Sequence, residues 1–283
     1  LGSALTVNGA LTINAGTLNT GSYNVSVAGT LTNNGTLTPG AANTIGGAGT
    51  LTGNGIAQVT RTAAIPDFLS QYTITNKILN NLTVEYTDAS VQTINNLSYG
   101  GLALDITGGQ TFTMAANPFT VSKTLTVNTG LLDLNGLNRT VGSLAGNGTI
   151  TSGVAGSITL TTGGDNADTT FSGILQNGSG TVALTKNGSG TLTLSGTNTY
   201  TGITSIYNGT LSVPTLANGG SNSPIGASGS AATNLVLNGG TLKYTGTGHS
   251  TDRLFSLGAS GGTIDASGGG TLNFTNAGTI TGS

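Results

Sequence analysis

Residues 5–56 read LTVNGALTINAGTLNTGSYNVSVAGTLTNNGTLTPGAANTIGGAGTLTGNGI. Apolar residues come here in triplets around a polar centre: Leu5-Thr6-Val7, Leu11-Thr12-Ile13 and Val25-Ser26-Val27. Alternation with period two predicts short strands with one buried and one wet face. The triplets also recur at a fixed interval. Leu5 matches Val25, Leu11 matches Leu31 and Leu31 matches Leu51, each twenty residues on, while Leu18 matches Leu37 and Leu37 matches Ile56 nineteen on. Three short strands in ~20 residues predict one rung of a right-handed parallel β-helix, an all-β solenoid. About fourteen such rungs would use the chain.

The pattern continues beyond the opening stretch. Leu82-Thr83-Val84, Leu125-Thr126-Val127, Leu132-Asp133-Leu134, Ile158-Thr159-Leu160, Leu192-Thr193-Leu194, Leu211-Ser212-Val213 and Leu242-Lys243-Tyr244 repeat it. A single rung cannot bury its inward face, but a stack encloses a continuous Leu/Ile/Val core. Thr suits the outward positions, being β-branched and polar. Gly in Asn34-Gly35, Asn54-Gly55, Asn147-Gly148, Asn187-Gly188 and Asn208-Gly209 is read as the corner residue that takes φ > 0. Asn at equivalent corners is expected to stack into amide ladders.

Composition agrees and excludes much. Of 283 residues, 49 are Gly, 53 Thr and 29 Asn, and only 6% are charged. Helix formers are scarce, which disfavours helical and α/β folds. Seven Lys and Arg residues cannot form a basic footprint, so nucleic acid is a poor partner. The absence of Cys and the presence of one His leave no disulfide frame and little scope for a zinc site. No apolar run approaches the ~18 residues of a membrane span, so no membrane insertion by this segment is expected.

Residues 1–283 are read as one continuous solenoid. Rungs are regular over 1–58 and less regular over 59–124, where Pro66, Pro118, Arg61, Lys77, Glu85 and Lys123 fall and Ile65-Pro66-Asp67-Phe68 forms a loop. Strand–turn repeats return over 125–283, interrupted by a Gly/Ser/Asn loop at 217–232.

Residues 165–213 carry Thr170-Phe171-Ser172-Gly173, Leu184-Thr185-Lys186-Asn187-Gly188-Ser189-Gly190, Asn198-Thr199-Tyr200-Thr201-Gly202 and Gly209-Thr210-Leu211. This run resembles the autotransporter-associated β-strand repeat of bacterial passenger domains. Residues 234–274 look like the segment that follows such repeats, and residues 76–136 resemble repeats of large secreted bacterial surface proteins. The resemblance implies a β-helical stalk, exported and displayed outside a bacterial cell, often as part of an adhesin. The chain lacks the alternating aromatic strands of an outer-membrane barrel, so the family's self-export mechanism is not carried over.

β-Helices also include polysaccharide lyases and hydrolases, whose sites need clustered carboxylates. The nine acids are dispersed, with Glu85/Asp88, Asp165/Asp168 and the stacked pair Asp88/Asp105 as the nearest approaches. They are read as surface or turn residues. Asp165-Asn166-Ala167-Asp168 is short of ligands for a calcium loop and fits a turn. His249, with Ser250, Thr251, Asp252 and Arg253, lacks a nucleophile elbow. Gly188-Ser189-Gly190 and Gly268-Gly269-Gly270 match no phosphate loop and are read as corners. Tyr23, Tyr72, Tyr86, Tyr99, Tyr200, Tyr207 and Tyr244 are read as packing residues rather than a sugar platform. Asn-x-Ser/Thr occurs ten times, as this composition produces by chance, and implies no glycosylation.

The expectation is therefore a non-enzymatic structural segment of a bacterial extracellular fibre, sheath or adhesin, with no catalytic residues, metal or cofactor. Neither end shows a capping helix, which predicts head-to-tail association through terminal rungs or continuation as a longer rod. The alternative is an adhesin stalk or tip that binds host or matrix glycans; a polysaccharide lyase or hydrolase ranks below both.

Overall fold

The structure is a computed structural model and describes residues 1–61, 68–87, 92–105, 109–116 and 119–282. It is an all-β parallel solenoid of about 13 turns with roughly 20 residues per turn. Among the described residues the only α-helix is the single turn Phe68–Gln71. The chain divides into two compact units, Leu1–Leu131 and Leu132–Ser283.

In the first unit, strands from successive turns pair in parallel columns. Leu5–Val7 pairs with Val25–Val27, which pairs with Ile45–Gly46. Leu11–Ile13, Thr30–Asn33, Thr50–Thr52 and Asn76–Lys77 form a second column. Thr17–Asn19, Thr36–Thr38, Ile56–Val59, Thr83–Tyr86 and Gly101–Leu104 belong to a third. The registers Leu5–Val25, Leu11–Leu31, Leu31–Leu51 and Leu18–Leu37 are those the sequence interval predicts. One match differs: Leu37 pairs with Ala57, not Ile56. In Ile56–Val59 it is Ala57 and Val59 that point inward, fully buried. A shift of one residue exchanges the two faces, and the small Ala57 concealed the true phase.

Stacking aligns like residues. Leu31 and Leu51 are fully buried one above the other, and each such side chain contributes about 1.5–3 kcal/mol by leaving water. Outward threonines form parallel rows, as in Thr12–Thr32–Thr52. Amide ladders form at two corners: Asn43 Nδ2 donates to Asn24 Oδ1 at 3.2 Å, and Asn208 Nδ2 to Asn187 Oδ1 at 3.3 Å.

The corner glycines have two causes rather than one. Gly188 and Gly209 adopt φ of +67° and +63°, where a side chain is strained. Gly35 and Gly55 do not have positive φ. A methyl group on Gly55 would lie 2.0 Å from Gly35 O, and one on Gly35 would lie 2.3 Å from Gly16 O. Close approach of backbone to backbone in the preceding turn selects glycine there.

Thirteen turns rather than fourteen result from long excursions. Thr83 pairs with Ile56, twenty-seven residues back, because the intervening chain forms the turn Phe68–Gln71 with its stacked Phe68 and Tyr72 rings, 4.6 Å apart. Of the expected loop, Ile65, Pro66 and Asp67 lie outside the described residues, as does Pro118.

The second unit follows the same rules. Gly156–Thr162, Gly180–Lys186, Thr204–Ile206, Leu235–Leu237 and Ser256–Leu257 stack in one column. Thr169–Phe171, Thr191–Leu194, Thr210–Val213, Thr241–Tyr244 and Thr263–Asp265 stack in another. Thr210 pairs with Thr241, thirty-one residues on, because residues 214–234 are inserted between their turns. That insertion packs tightly: Ser223, Pro224, Ile225 and Gly226 are buried, and Asn198 and Ser223 exchange main-chain bonds.

Candidate functional site

The corner formed by residues 162–168, 186–190 and 208–210 brings Asp165, Asn166, Asp168, Lys186, Asn187 and Asn208 together. In Gly180–Lys186, Val182, Leu184 and Lys186 share the inward phase. Lys186 is therefore buried, with 1% exposure. A buried ammonium is costly unless its donors are satisfied. Lys186 Nζ donates to Asn187 O at 2.6 Å, Gly188 O at 2.9 Å and Asn208 O at 3.3 Å. Burial holds its pKa below the ordinary lysine value, against the opposing pull of Asp168 and Asp165.

The tetrad Asp165-Asn166-Ala167-Asp168 crowns this corner as main-chain caps. Asp165 Oδ1 accepts from Ala167 N at 3.1 Å, and its Oδ2 from Ser143 Oγ at 2.8 Å. Asn166, at φ +62°, accepts from Ser189 N at 2.8 Å. Asp168 Oδ1 accepts from Thr191 N at 2.6 Å. The three polar side chains thus tie their own turn, the preceding one or the next, the turn role expected of them. Beside it an open groove is lined by Asp168, Thr169, Thr170, Thr191 and Thr193. Its chemistry is hydroxyls and one carboxylate, suited to hydrogen bonding.

His249–Thr251 is a strand paired with Leu272–Phe274, so His249 and Ser250 diverge. Asp252 Oδ1 accepts from Gly219 N at 2.6 Å. Arg253, 1% exposed, donates to the carbonyls of Ala217, Asn218, Ser221, Gly226 and Ser228. Asp252 and Arg253 therefore fasten the 214–234 insertion to the following turn. Burial holds the Arg253 guanidinium's pKa down, while Tyr200 and Asp252 oppose it.

Glu85 Oε2 accepts from Gln58 Nε2 at 2.8 Å, and Gln58 Oε1 from Thr38 Oγ1 at 2.6 Å, a polar chain across three turns. The pairs Glu85/Asp88 and Asp88/Asp105 involve Asp88, which lies outside the described residues. Among the described residues no three His, Cys, Asp or Glu side chains converge. Lys243 Nζ and Asp265 Oδ2 form an ion pair at 3.9 Å. Tyr72, Tyr86, Tyr99, Tyr200 and Tyr244 are core residues; Tyr207 is 42% exposed and Ile203 44%, flanking Thr204–Ile206. Among the described residues no helix is long and apolar enough to cross a membrane, which says nothing of a β-barrel.

The sequence reading missed Lys186 and Arg253 as buried anchors. For Lys186 the signal was present: it continues the Val182–Leu184 alternation. For Arg253 nothing local marked it, because its partners lie twenty-five to thirty-six residues away.

Residues 186–190 and 208–210 of this corner fall within a known repeat. Residues 184–213 match the Passenger-associated-transport-repeat family. The chain resembles autotransporter passenger domains. It is similar to the Adhesin BmaC autotransporter of Brucella suis biovar 1 (strain 1330), with 57% identity over 51 residues, 18% of this chain and 2% of that protein. The chain thus spans a very small part of that relative's length. No solved structure matches the chain. The matched repeat begins at Leu184, two residues before the buried lysine, and ends at Val213, the last residue of a core strand.

Proposed function

We propose that this chain is a passenger-type segment of an adhesin displayed on a bacterial surface, and that its role is mechanical rather than catalytic. The observation that carries the reading is the coincidence of the transport-repeat match with an in-register parallel solenoid. In that solenoid the tetrad's carboxylates cap turns instead of converging on a substrate. A low-charge, hydroxyl- and amide-covered surface suits lateral contact outside the cell. The finer proposal concerns assembly. Among the described residues Leu5–Val7 pairs with Val25–Val27 and Thr281–Gly282 with Ser256–Leu257, leaving strand edges open to further rungs of a second copy or of a longer polypeptide.

Negative-stain electron microscopy across a concentration series tests this. Filaments of uniform width support head-to-tail assembly. Separate short particles at every concentration remove it and leave the longer-polypeptide reading. Cleavage of polysaccharides by the purified chain would overturn the non-catalytic reading. A second reading, glycan contact, is favoured by Tyr207, exposed next to Asn208, whose amide bonds to that of Asn187. Glycan-array binding that is lost in Tyr207→Ala would establish it.

A further inference from the structure

The peptide joining Asn187 to Gly188 is gripped from three sides. Gly188 N–H donates to Asn187 Oδ1 at 2.9 Å, which brings the backbone nitrogen against the side-chain amide of the residue before it. Lys186 Nζ donates to Asn187 O at 2.6 Å. An ammonium there draws electrons from the same peptide group and makes the Gly188 N–H more acidic. Asn208 Nδ2 donates to Asn187 Oδ1 at 3.3 Å, where it steadies negative charge arriving on that oxygen. Gly188 has no side chain to shield its nitrogen, and Asn187 is exposed to water.

We propose that Asn187 is a self-modification site at which the fold promotes deamidation through a cyclic imide. Gly188 N gives up its proton and bonds to Asn187 Cγ. The Cγ–Nδ2 bond breaks, and Nδ2 leaves as ammonia after taking up a proton. Water then opens the five-membered ring. Attack at Cγ leaves aspartate at position 187, while attack at the main-chain carbonyl leaves isoaspartate, with the chain routed through the side-chain carbon. No oxidant or reductant takes part. The product places a carboxylate at a corner already holding Asp165, Asp168 and Lys186. The isoaspartate form adds one backbone atom where Asn187 N bonds to Thr162 O at 2.7 Å.

Three other Asn-Gly pairs hold the glycine nitrogen elsewhere. Gly55 N–H donates to Asn33 O, Gly239 N–H to Gly261 O and Gly219 N–H to Asp252 Oδ1. They serve as internal controls. The folded chain is incubated at neutral pH in heavy-oxygen water, and label at each Asn is followed by peptide mass spectrometry. Position 187 should convert several-fold faster than Asn54, and the difference should vanish in urea. Asn208→Ala, at an exposed position, should slow conversion at 187 and leave Asn54 unchanged. Equal rates at 187 and 54 in the folded chain, or an Asn208→Ala variant that converts at the original rate, would overturn the proposal.

Discussion

At Arg253 a single side chain organises more than twenty residues. Its donors reach five carbonyls of the 214–234 insertion and Ser228 Oγ at 3.0 Å. Removing it takes the charged donor from all five and leaves Gly226 O and Ser221 O without it, while Ala217 O, Asn218 O and Ser228 O keep bonds from Thr251 Oγ1, Ser221 N and Gly220 N. Hydrogen bonds to a charged group contribute about 1.5–3 kcal/mol each, though they are not additive. Arg253→Ala should therefore lower unfolding stability by roughly 3 kcal/mol or more. Chemical denaturation measures the loss, and limited proteolysis should place new cleavage within 217–231. Tyr200 makes a second residue-scale case. It is fully buried, its hydroxyl 2.7 Å from Thr204 Oγ1. Burial raises its pKa above the ordinary 10.0, against the hydrogen bond with Thr204 and the charge of Arg253; burial raises Tyr72 likewise. Above pH 10 the unfolded chain releases phenolic protons that the folded chain keeps. The native state then binds more protons, so stability falls with rising pH, by at most about 1.4 kcal/mol per pH unit for each such tyrosine. Tyr200→Phe should cost about 1 kcal/mol at neutral pH and flatten the decline above pH 10, as read from denaturation midpoints against pH. An unchanged alkaline slope would mean that Tyr200 is not the titrating group.

Single strands show how far pattern reading reaches. In Thr30–Asn33, Leu31 faces the core and Thr32 the solvent, as the alternation requires. Leu31→Ala opens a cavity between turns that cannot collapse freely, and should cost about 2–5 kcal/mol. Thr32→Ala should change stability by no more than about 0.5 kcal/mol. Urea midpoints of the two variants check the contrast, and a similar loss from both would contradict the register. The interval of twenty was legible because Leu5, Leu11 and Leu31 each meet an aliphatic residue one turn on. It failed at Ile56 because the inward residue is Ala57, which a search for large aliphatic side chains passes over. The loop at 217–232 was legible from its Gly, Ser and Asn content, but its packing was not, because Ile225 is buried there without periodicity. The turn role of Asp165-Asn166-Ala167-Asp168 was readable from local sequence. The burial of the lysine beneath it was written in the Val182–Leu184 alternation, but its partners were not, because the carbonyls that hold it belong partly to the next turn, at Asn208.

Taken within each unit, the molecule relies on stacked apolar columns and main-chain bonds rather than on charge. Formal net charge is −2, and the Lys243–Asp265 pair is partly exposed at both ends. Exposed pairs contribute about 0–1 kcal/mol and are screened by salt. Raising sodium chloride from low ionic strength to 1 M should leave the denaturation midpoint nearly unchanged apart from a small salting-out gain. A marked fall on adding salt would show that surface charge contributes to stability after all. The same neutrality fits the reading of a surface-displayed segment, since contact with a partner would not depend on external salt.

The parallel register has one more consequence, for a chain under load. Each strand's hydrogen-bond partners lie in the turns before and after it, so a pull on one terminus does not shear a whole sheet at once. It peels the outermost turn, whose ~20 residues release about 70 Å of slack, before tension reaches the next. Retreat comes turn by turn, in longer instalments where a turn carries an insertion, each dissipating work while the turns behind keep their core closed. A tether built this way lengthens under a sudden tug instead of snapping, and can rewind when the tug ends.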